Sequence, residues 1–251
     1  MTKQLTKKQE TKVAAYESTD AWGNDTDFSA QDMVISKILP MQGLSKLVTE
    51  GKAMMGDFCD SVNGTKLGSI DQPLDFIPFK VDKMWVKTIT SKGKTTFDGI
   101  DPITRANESA PKEEQLPNGD FLHRDYTYYV YCLLPKDLEE GNMVPYILSF
   151  KRTSVRAGKK VMTQMFVRNK MANKTPASWV MQLSGARQSN DKGTYIVVDV
   201  NTMHRETTKE ELNMAFEMFN MIKEGDSKID HSDEIKETKP KGNYASENME
   251  F

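Results

Sequence analysis

Residues 121–134, FLHRDYTYYVYCLL, are the part of the sequence that most clearly indicates the fold. Aromatic side chains dominate this segment, and aromatic residues favour β-strands. Because successive side chains of a strand point to opposite faces, the segment predicts a strand with two different faces. One face is expected to carry Tyr129, Tyr131 and Leu133, and the other Tyr128, Val130, Cys132 and Leu134.

Further strands are predicted on both sides of this one. The Asn63-Gly64 pair predicts a tight hairpin with a type I′ turn. Residues 91–119 are rich in Gly, Pro, Asn and charged residues, and they predict a long loop. Apolar and β-branched runs indicate the other strands, at 73–89, 144–150, 178–185 and 194–200.

Two helices are predicted before the last strands. A short helix is expected to begin at about Ser45 and to end by Gly51. A longer helix is expected to begin at Thr153 or Ser154, because a hydroxyl at either position can cap a helix N-terminus. This helix is expected to run to about Lys170 and is therefore inserted between strands.

A third helix is predicted after the last strand, at 207–225. Thr208 and Glu211 match a capping box, and apolar residues recur behind them at helical spacing. Five or more short strands, one inserted helix and one C-terminal helix indicate a mainly β fold with α-helices. We expect an OB-fold-like five-stranded barrel, with a β-sandwich as the alternative.

The polar ends of the chain predict its domain organisation. Residues 1–28 are polar without a sustained period and are expected to be a disordered N-terminal segment. Residues 29–223 are expected to form the OB-fold-like nucleic-acid-binding domain. Residues 224–251, which contain four more acidic than basic residues, are expected to be a flexible acidic tail.

Composition argues against a membrane or secreted protein. The chain has 251 residues and a formal net charge of −2. No apolar run approaches the roughly 20 residues that cross a bilayer, and the first residues lack the apolar stretch of a secretory signal. A cytoplasmic location without a membrane partner is therefore expected.

No motif nominates a catalytic or metal centre. A glycine-rich phosphate loop and a GxSxG nucleophile turn are both absent. Cys59 and Cys132 are expected to be buried and reduced, and His123, His204 and His231 lack the spacing of metal ligands. The sequence therefore predicts a protein that is not an enzyme and that has no metal and no cofactor.

Residues 141–190 contain nine basic residues and no Asp or Glu. A polynucleotide carries one negative charge at each phosphate, and a carboxylate on its path would repel it. The segment therefore predicts a nucleic-acid interface; the alternative is a solvated helix face whose partners are acids distant in sequence. The cations are Lys151, Arg152, Arg156, Lys159, Lys160, Arg168, Lys170, Lys174 and Arg187, of which the first seven are predicted to neutralise phosphates.

Aromatic side chains near this segment predict base stacking. Exposed bases of a single strand stack on rings with about 1–3 kcal/mol per base. The helix predicted from residue 153 has a bulky apolar side, unlike the recognition helix of most duplex readers, so a sequence-tolerant single-strand binder is favoured. The rings predicted to be exposed are Trp85, Tyr129 and Tyr131, and the cations beside them are Lys83, Lys87 and Lys151.

The end of the chain, SENMEF, predicts a second site. An acidic segment can lie in the protein's own basic groove until nucleic acid displaces it. A terminal Phe251 beside Glu250 offers a ring and a carboxylate that a basic apolar pocket of a partner can hold.

These features together resemble the bacteriophage single-stranded DNA-binding proteins of the T7 type. The resemblance rests on the basic aromatic groove, the acidic tail ending in Phe, and the segment ILPMQGLSKLVTEGKAMMGDF followed by DFIPFKV. It implies an OB fold, the coating of single-stranded DNA during phage replication, recombination or repair, and a location in the host cytoplasm. It also implies that a polymerase or helicase docks through Phe251, and a homodimer is compatible with it.

Three other functions stay open at the level of sequence. A structural or scaffolding phage protein would use the basic face to contact another protein. A nuclease or annealing enzyme would need a metal site that the sequence does not reveal. RNA is an alternative to DNA, because no residue pattern reads a 2′-hydroxyl.

Overall fold

The structure, a computed structural model, describes residues 34–191, 193–224 and 228–229. Some of the predictions fall on residues outside these ranges, namely those for 1–28, for His231 and for most of the tail 224–251, with Glu250 and Phe251.

Ten strands, and an eleventh of two residues, form one sheet in the described part of the chain. The strands are β1 (Val34–Pro40), β2 (Asp57–Asp60), β3 (Lys66–Ser69), β4 (Leu74–Ser91), β5 (Lys94–Pro102), β6 (Glu113–Gln115), β7 (Phe121–Leu133), β8 (Tyr146–Lys151), β9 (Trp179–Asn190), β10 (Gly193–Glu206) and β11 (Lys228–Ile229). Their hydrogen-bonded order is β10-β9-β4-β7-β8-β1-β2-β3, with β5 beside β4, β6 beside β7 and β11 beside β1. The sheet is mixed because β1 runs parallel to β8 and β11, whereas the other pairs are antiparallel.

Helices lie between and after the strands. They are α1 (Lys46–Thr49), α2 (Pro135–Glu139), α3 (Val155–Thr163), α4 (Asn169–Met171) and α5 (Lys209–Glu224). A 3-10 turn at Arg152–Ser154 precedes α3, and a π-helical segment at Gln164–Arg168 joins α3 to α4. The three predicted helices are therefore confirmed.

The predicted capping box of α5 is also present. The backbone N–H of Thr208 donates to Glu211 Oε2 at 2.8 Å, and the N–H of Glu211 donates to Thr208 Oγ1 at 3.2 Å. Two N–H groups that the helix itself leaves unpaired are thus satisfied at its start.

The prediction of a closed OB-like barrel is wrong. A barrel requires its first and last strands to pair, and within the described residues no ladder joins β3 to β10 at the two ends of the strand order. The sandwich alternative does not form either, because the strands are hydrogen-bonded neighbours in one open sheet. The mainly β class with helices is confirmed.

The prediction of a long loop at 91–119 is wrong as well. β4 continues to Ser91 and turns through Lys92 and Gly93 into β5. Both turn residues have positive φ, 48° and 78°, as a two-residue hairpin turn requires. Threonines, which are β-branched, extend the two strands although the segment is polar.

The Asn63-Gly64 pair lies in a hairpin between β2 and β3, but the connection is longer than predicted. Five residues, 61–65, separate the strands, and of the pair only Gly64 has positive φ. Asp60 Oδ1 accepts the N–H of Val62 and of Asn63, which turns the chain by a side-chain contact.

Both faces of the sheet are covered around β7, and the predicted alternation along β7 is confirmed. On one face, side chains of β7 pack with α5, and on the other they pack with α3. The α5 face contains Tyr129, Tyr131, Leu133, Ala215, Met218 and Ile222. The α3 face contains Tyr128, Val130, Cys132, Ala157, Val161 and Met165.

Gly158 allows α3 to approach β7 closely. A Cβ atom at this position would lie 2.7 Å from Cδ2 and 2.9 Å from Cβ of Tyr128. These distances are shorter than non-bonded carbon atoms tolerate, so any larger residue would push the helix away from the sheet.

We predict that Gly158→Ala lowers the free energy of unfolding by about 1–3 kcal/mol, as overpacking does. Helix propensity alone predicts the opposite sign, a gain of about 1 kcal/mol. Gly43→Ala, in a turn, is the control for adding a methyl group without a close neighbour, because its nearest neighbour would be Met55 Sδ at 3.8 Å. Urea denaturation measures both variants, and a stabilised Gly158→Ala protein would contradict the packing argument.

Candidate nucleic-acid interface

A cleft of about 460 Å³ lies between the outer side of α3 and the middle of β10. Four cations face it and its lining contains no acidic side chain. The lining residues are Arg156, Lys159, Lys160, Thr163, Arg168, Val200, Asn201 and Thr202. We refer to it as the basic cleft.

The spacing of residues along α3 separates the basic cleft from the core. Arg156, Lys159, Lys160 and Thr163 follow one another at steps of three, one and three residues, which places them on one side of a helix. The buried residues of α3 lie on the other side, against the sheet. Packing of the apolar side therefore holds the cationic side toward β10.

Arg168 reaches the basic cleft from the π-helical segment that follows α3. Within the described residues, Arg156, Lys159 and Arg168 form no salt bridge with a carboxylate. Like charges that share a concave surface repel one another, so the cleft has a strong field for an anion.

Lys160 is the one cation of the basic cleft that forms a salt bridge within the described residues, although the charge of Arg156 also helps to lower the pKa of Asp199. Its Nζ lies 2.6 Å from Asp199 Oδ1 and 2.8 Å from Oδ2. Partial burial raises the pKa of the Asp199 carboxyl, but hydrogen bonds from Lys160 and from the Val200 N–H outweigh it and hold the pKa below its usual value. Asp199 is thus an anion that already occupies one position beside the cleft.

Other residues of the predicted site lie outside the basic cleft. Arg152 Nη2 is paired with Asp125 Oδ2 at 2.8 Å, and Lys87 Nζ lies 3.0 Å from Asp101 Oδ2. Lys174 is paired with Glu206. The structure places the rest on other parts of the fold: half-buried Lys83 on β4, half-buried Lys151 on β8, exposed Lys170 on α4 and exposed Arg187 on β9.

The predicted exposure of the three rings is wrong. Trp85 is 4%, Tyr129 0% and Tyr131 3% exposed. Both tyrosines lie beneath α5, and the Trp85 ring packs edge-on against Tyr126 while its Nε1 donates to the Asn107 carbonyl. They are core residues because neither face of this sheet is open to solvent around them.

The sequence interpretation missed the polar wall of the basic cleft. Thr163, Asn201 and Thr202 line it and can donate hydrogen bonds to an anion. The only sequence signal was the change from apolar to polar residues after Val200. The ring of Phe166, in the π-helical segment that follows α3, is open to solvent, with 42% of the residue exposed.

A second cleft, of about 390 Å³, lies beside β4 and β7 and has mixed charge. Its lining includes Lys112, Arg124 and Arg152, but also Glu113 and Asp125. Arg124 is paired with Glu114 and Arg152 with Asp125. This balance makes it a weaker site for a polyanion than the basic cleft.

Neither a metal-ligand cluster nor a membrane-spanning helix is present among the described residues. No three His, Cys, Asp or Glu side chains in that part of the chain are grouped so that they could hold a metal ion. None of the helices described is both long and apolar enough to span a bilayer.

Comparison with known proteins gives one match. The model of a family described as Pam3 phage gp34-like protein matches residues 5–228, most of the chain. No curated protein and no solved structure matches.

We predict that inorganic pyrophosphate stabilises the protein more than sodium chloride of equal ionic strength. An anion that binds only the folded state stabilises it, by about 1.4 kcal/mol at ten times the Kd. Thermal unfolding of the variant K159Q/R168Q, which removes two cations of the basic cleft, is expected to show little of this shift.

The control K136Q/R187Q removes the same charge from exposed positions outside the cleft, and it is expected to keep the shift. Equal shifts in the two double variants would contradict a localised anion site.

Proposed function

We propose that this chain, which belongs to the Pam3 phage gp34-like protein family, is a non-enzymatic single-stranded DNA-binding protein of phage DNA replication or recombination. In this proposal the basic cleft holds the phosphates of the strand. Arg156, Lys159, Lys160 and Arg168 neutralise them, and the hydroxyl and amide groups of the cleft donate further hydrogen bonds.

The observation that carries the proposal is the concentration of four cations in a cleft whose lining has no acid, on a chain of net charge −2. A solvated helix face would instead pair most of its cations with acids, as Arg152 and Lys174 are paired elsewhere. In the basic cleft only Lys160 forms a salt bridge within the described residues. Repulsion among the cleft cations is relieved when phosphates enter and the counterions are released to bulk solvent.

The shape of the basic cleft favours a single strand over a duplex. A helix that reads duplex DNA projects into the major groove, which is about 12 Å wide. The cations of α3 and residues of β10 line the same cleft, so the cations lie on a concave surface. A flexible single strand can enter such a surface.

Phe166 is the ring that we propose for base stacking. It is 42% exposed and lies two residues before Arg168 in the same π-helical segment. It takes the role that the sequence assigned to Trp85, Tyr129 and Tyr131. Docking of a polymerase or helicase through Glu250 and Phe251 stays a prediction, because both residues lie outside the described range.

A structural phage protein with an acidic protein partner is the rival function. The observation that favours it is apolar exposure beside the cleft cations, since Val167 is 51% and Met171 83% exposed. Such a protein would bind an acidic protein partner and would show little affinity for oligo(dT) of any length. A nuclease would reveal itself by turnover that requires a divalent ion.

We predict that the protein binds fluorescein-labelled oligo(dT) with an affinity that falls steeply with salt. Four phosphate contacts give a slope of about −3 in a plot of log K against log salt concentration, at ~0.7 per contact for single strands. Fluorescence anisotropy measures it. R156A/R168A is expected to lower the affinity by roughly 10- to 100-fold and the slope by about 1.4.

K136A/R187A is the matched control and is expected to bind like the unaltered protein. Duplex DNA and RNA of equal length, measured in parallel, test the preference for a DNA single strand. A salt-independent affinity, or an equal loss in both double variants, would contradict the proposal.

A further inference from the structure

Arg168 lies in the basic cleft although a regular α-helix would not place it there. It follows Thr163, which also lines the cleft, by five residues. An α-helix advances by ~100° per residue, so a residue five positions later lies about 140° around the axis. The residue four positions later, Val167, would face the cleft instead, yet it is not part of the lining.

The buried side of the same helical run shows the same irregularity. Ala157, Val161, Met165 and Asn169 are all buried, at a repeat of four residues. Three turns of an α-helix take about 10.8 residues, whereas this stripe uses twelve to return to the sheet. The π-helical segment accounts for the difference, because such a segment accommodates one extra residue in a helix.

Two hydrogen bonds between Gln164 and Asn169 close the π-helical turn. The backbone N–H of Asn169 donates to the Gln164 carbonyl, five residues earlier. Gln164 Nε2 donates to Asn169 Oδ1 at 2.9 Å, and both side chains are buried. Asn169 Nδ2 also donates to the carbonyls of Thr175 and Pro176, which anchors the turn to the following loop.

We propose that Gln164 and Asn169 are positioning residues of the DNA site, because their side-chain hydrogen bond holds the π-helical turn that directs Arg168 into the basic cleft. The inference rests on the proposed function, but the geometry of the π-helical turn can be tested without DNA. Without the bond, the buried Asn169 oxygen loses its donor, and the helix relaxes to the α-helical register. That register turns Val167 toward the cleft and Arg168 away from it.

The first experiment measures oligo(dT) affinity by anisotropy. Gln164→Met keeps a side chain of similar length without hydrogen-bonding groups. It is expected to lose as much affinity as Arg168→Ala, about tenfold, and the double variant Q164M/R168A is expected to lose no more than either single variant.

Exchange of residues 167 and 168 provides the rescue. V167R/R168V is expected to weaken binding about tenfold in the native background and to restore it in the Q164M background. Additive losses, or no rescue, would overturn the inference, because a purely structural role of Gln164 would lower stability without changing which position needs the arginine.

The second experiment needs no DNA. Nitroxide labels on the cysteine pairs R168C/T202C and V167C/T202C report which residue faces β10, and the native Cys59 and Cys132 are buried and do not interfere. The 168–202 distance is expected to be the shorter one with Gln164 present, and the 167–202 distance the shorter one in Q164M. An unchanged order would overturn the inference.

The two experiments separate this inference from the proposed function. A protein that does not bind oligo(dT), but whose label distances change order in Q164M, would refute the DNA site and keep the positioning role. A protein that binds oligo(dT), but whose label distances keep the same order in Q164M, would keep the DNA site and refute the positioning role.

Discussion

The contact between Gly158 of α3 and the ring of Tyr128 on β7 is the constraint on which the rest of the structure depends. The helix has no side chain at this point, so it can lie directly on the sheet. Its apolar side is then buried, and its cationic side faces the middle of β10 across the basic cleft. A larger residue at position 158 would change the width of that cleft together with the packing of the core.

The charge of the basic cleft is costly to the folded protein and useful to a polyanion ligand. Like charges that share a cleft oppose folding, and among the residues described only Lys160 forms a salt bridge there. Burial of α3 against the sheet supplies the favourable free energy that holds the cations together. Asp199 reduces the field at one position, so a phosphate must compete with it for Lys160.

Much of the fold could be predicted from local patterns, because periodicity and caps are local. The alternation along β7 and the capping box of α5 are examples. The open sheet could not be predicted from the sequence, because it depends on pairings between distant segments such as β1 with β8. The cationic side of α3 was visible in the sequence as a charge pattern. The second wall of the basic cleft comes from β10, which is distant in sequence. The π-helical turn depends on a hydrogen bond between two buried side chains. The three buried rings were misassigned because alternation does not reveal whether a helix covers a face.

The membership of the Pam3 phage gp34-like protein family agrees with the phage origin that the sequence resemblance implied. The most direct test of the account is a lysine-acetylation footprint of the full chain, read by mass spectrometry with and without oligo(dT). The account predicts that the oligonucleotide protects Lys159 and Lys160 while exposed Lys136 and Lys209 react at unchanged rates. Unchanged reaction rates of Lys159 and Lys160 when the oligonucleotide is bound would contradict it.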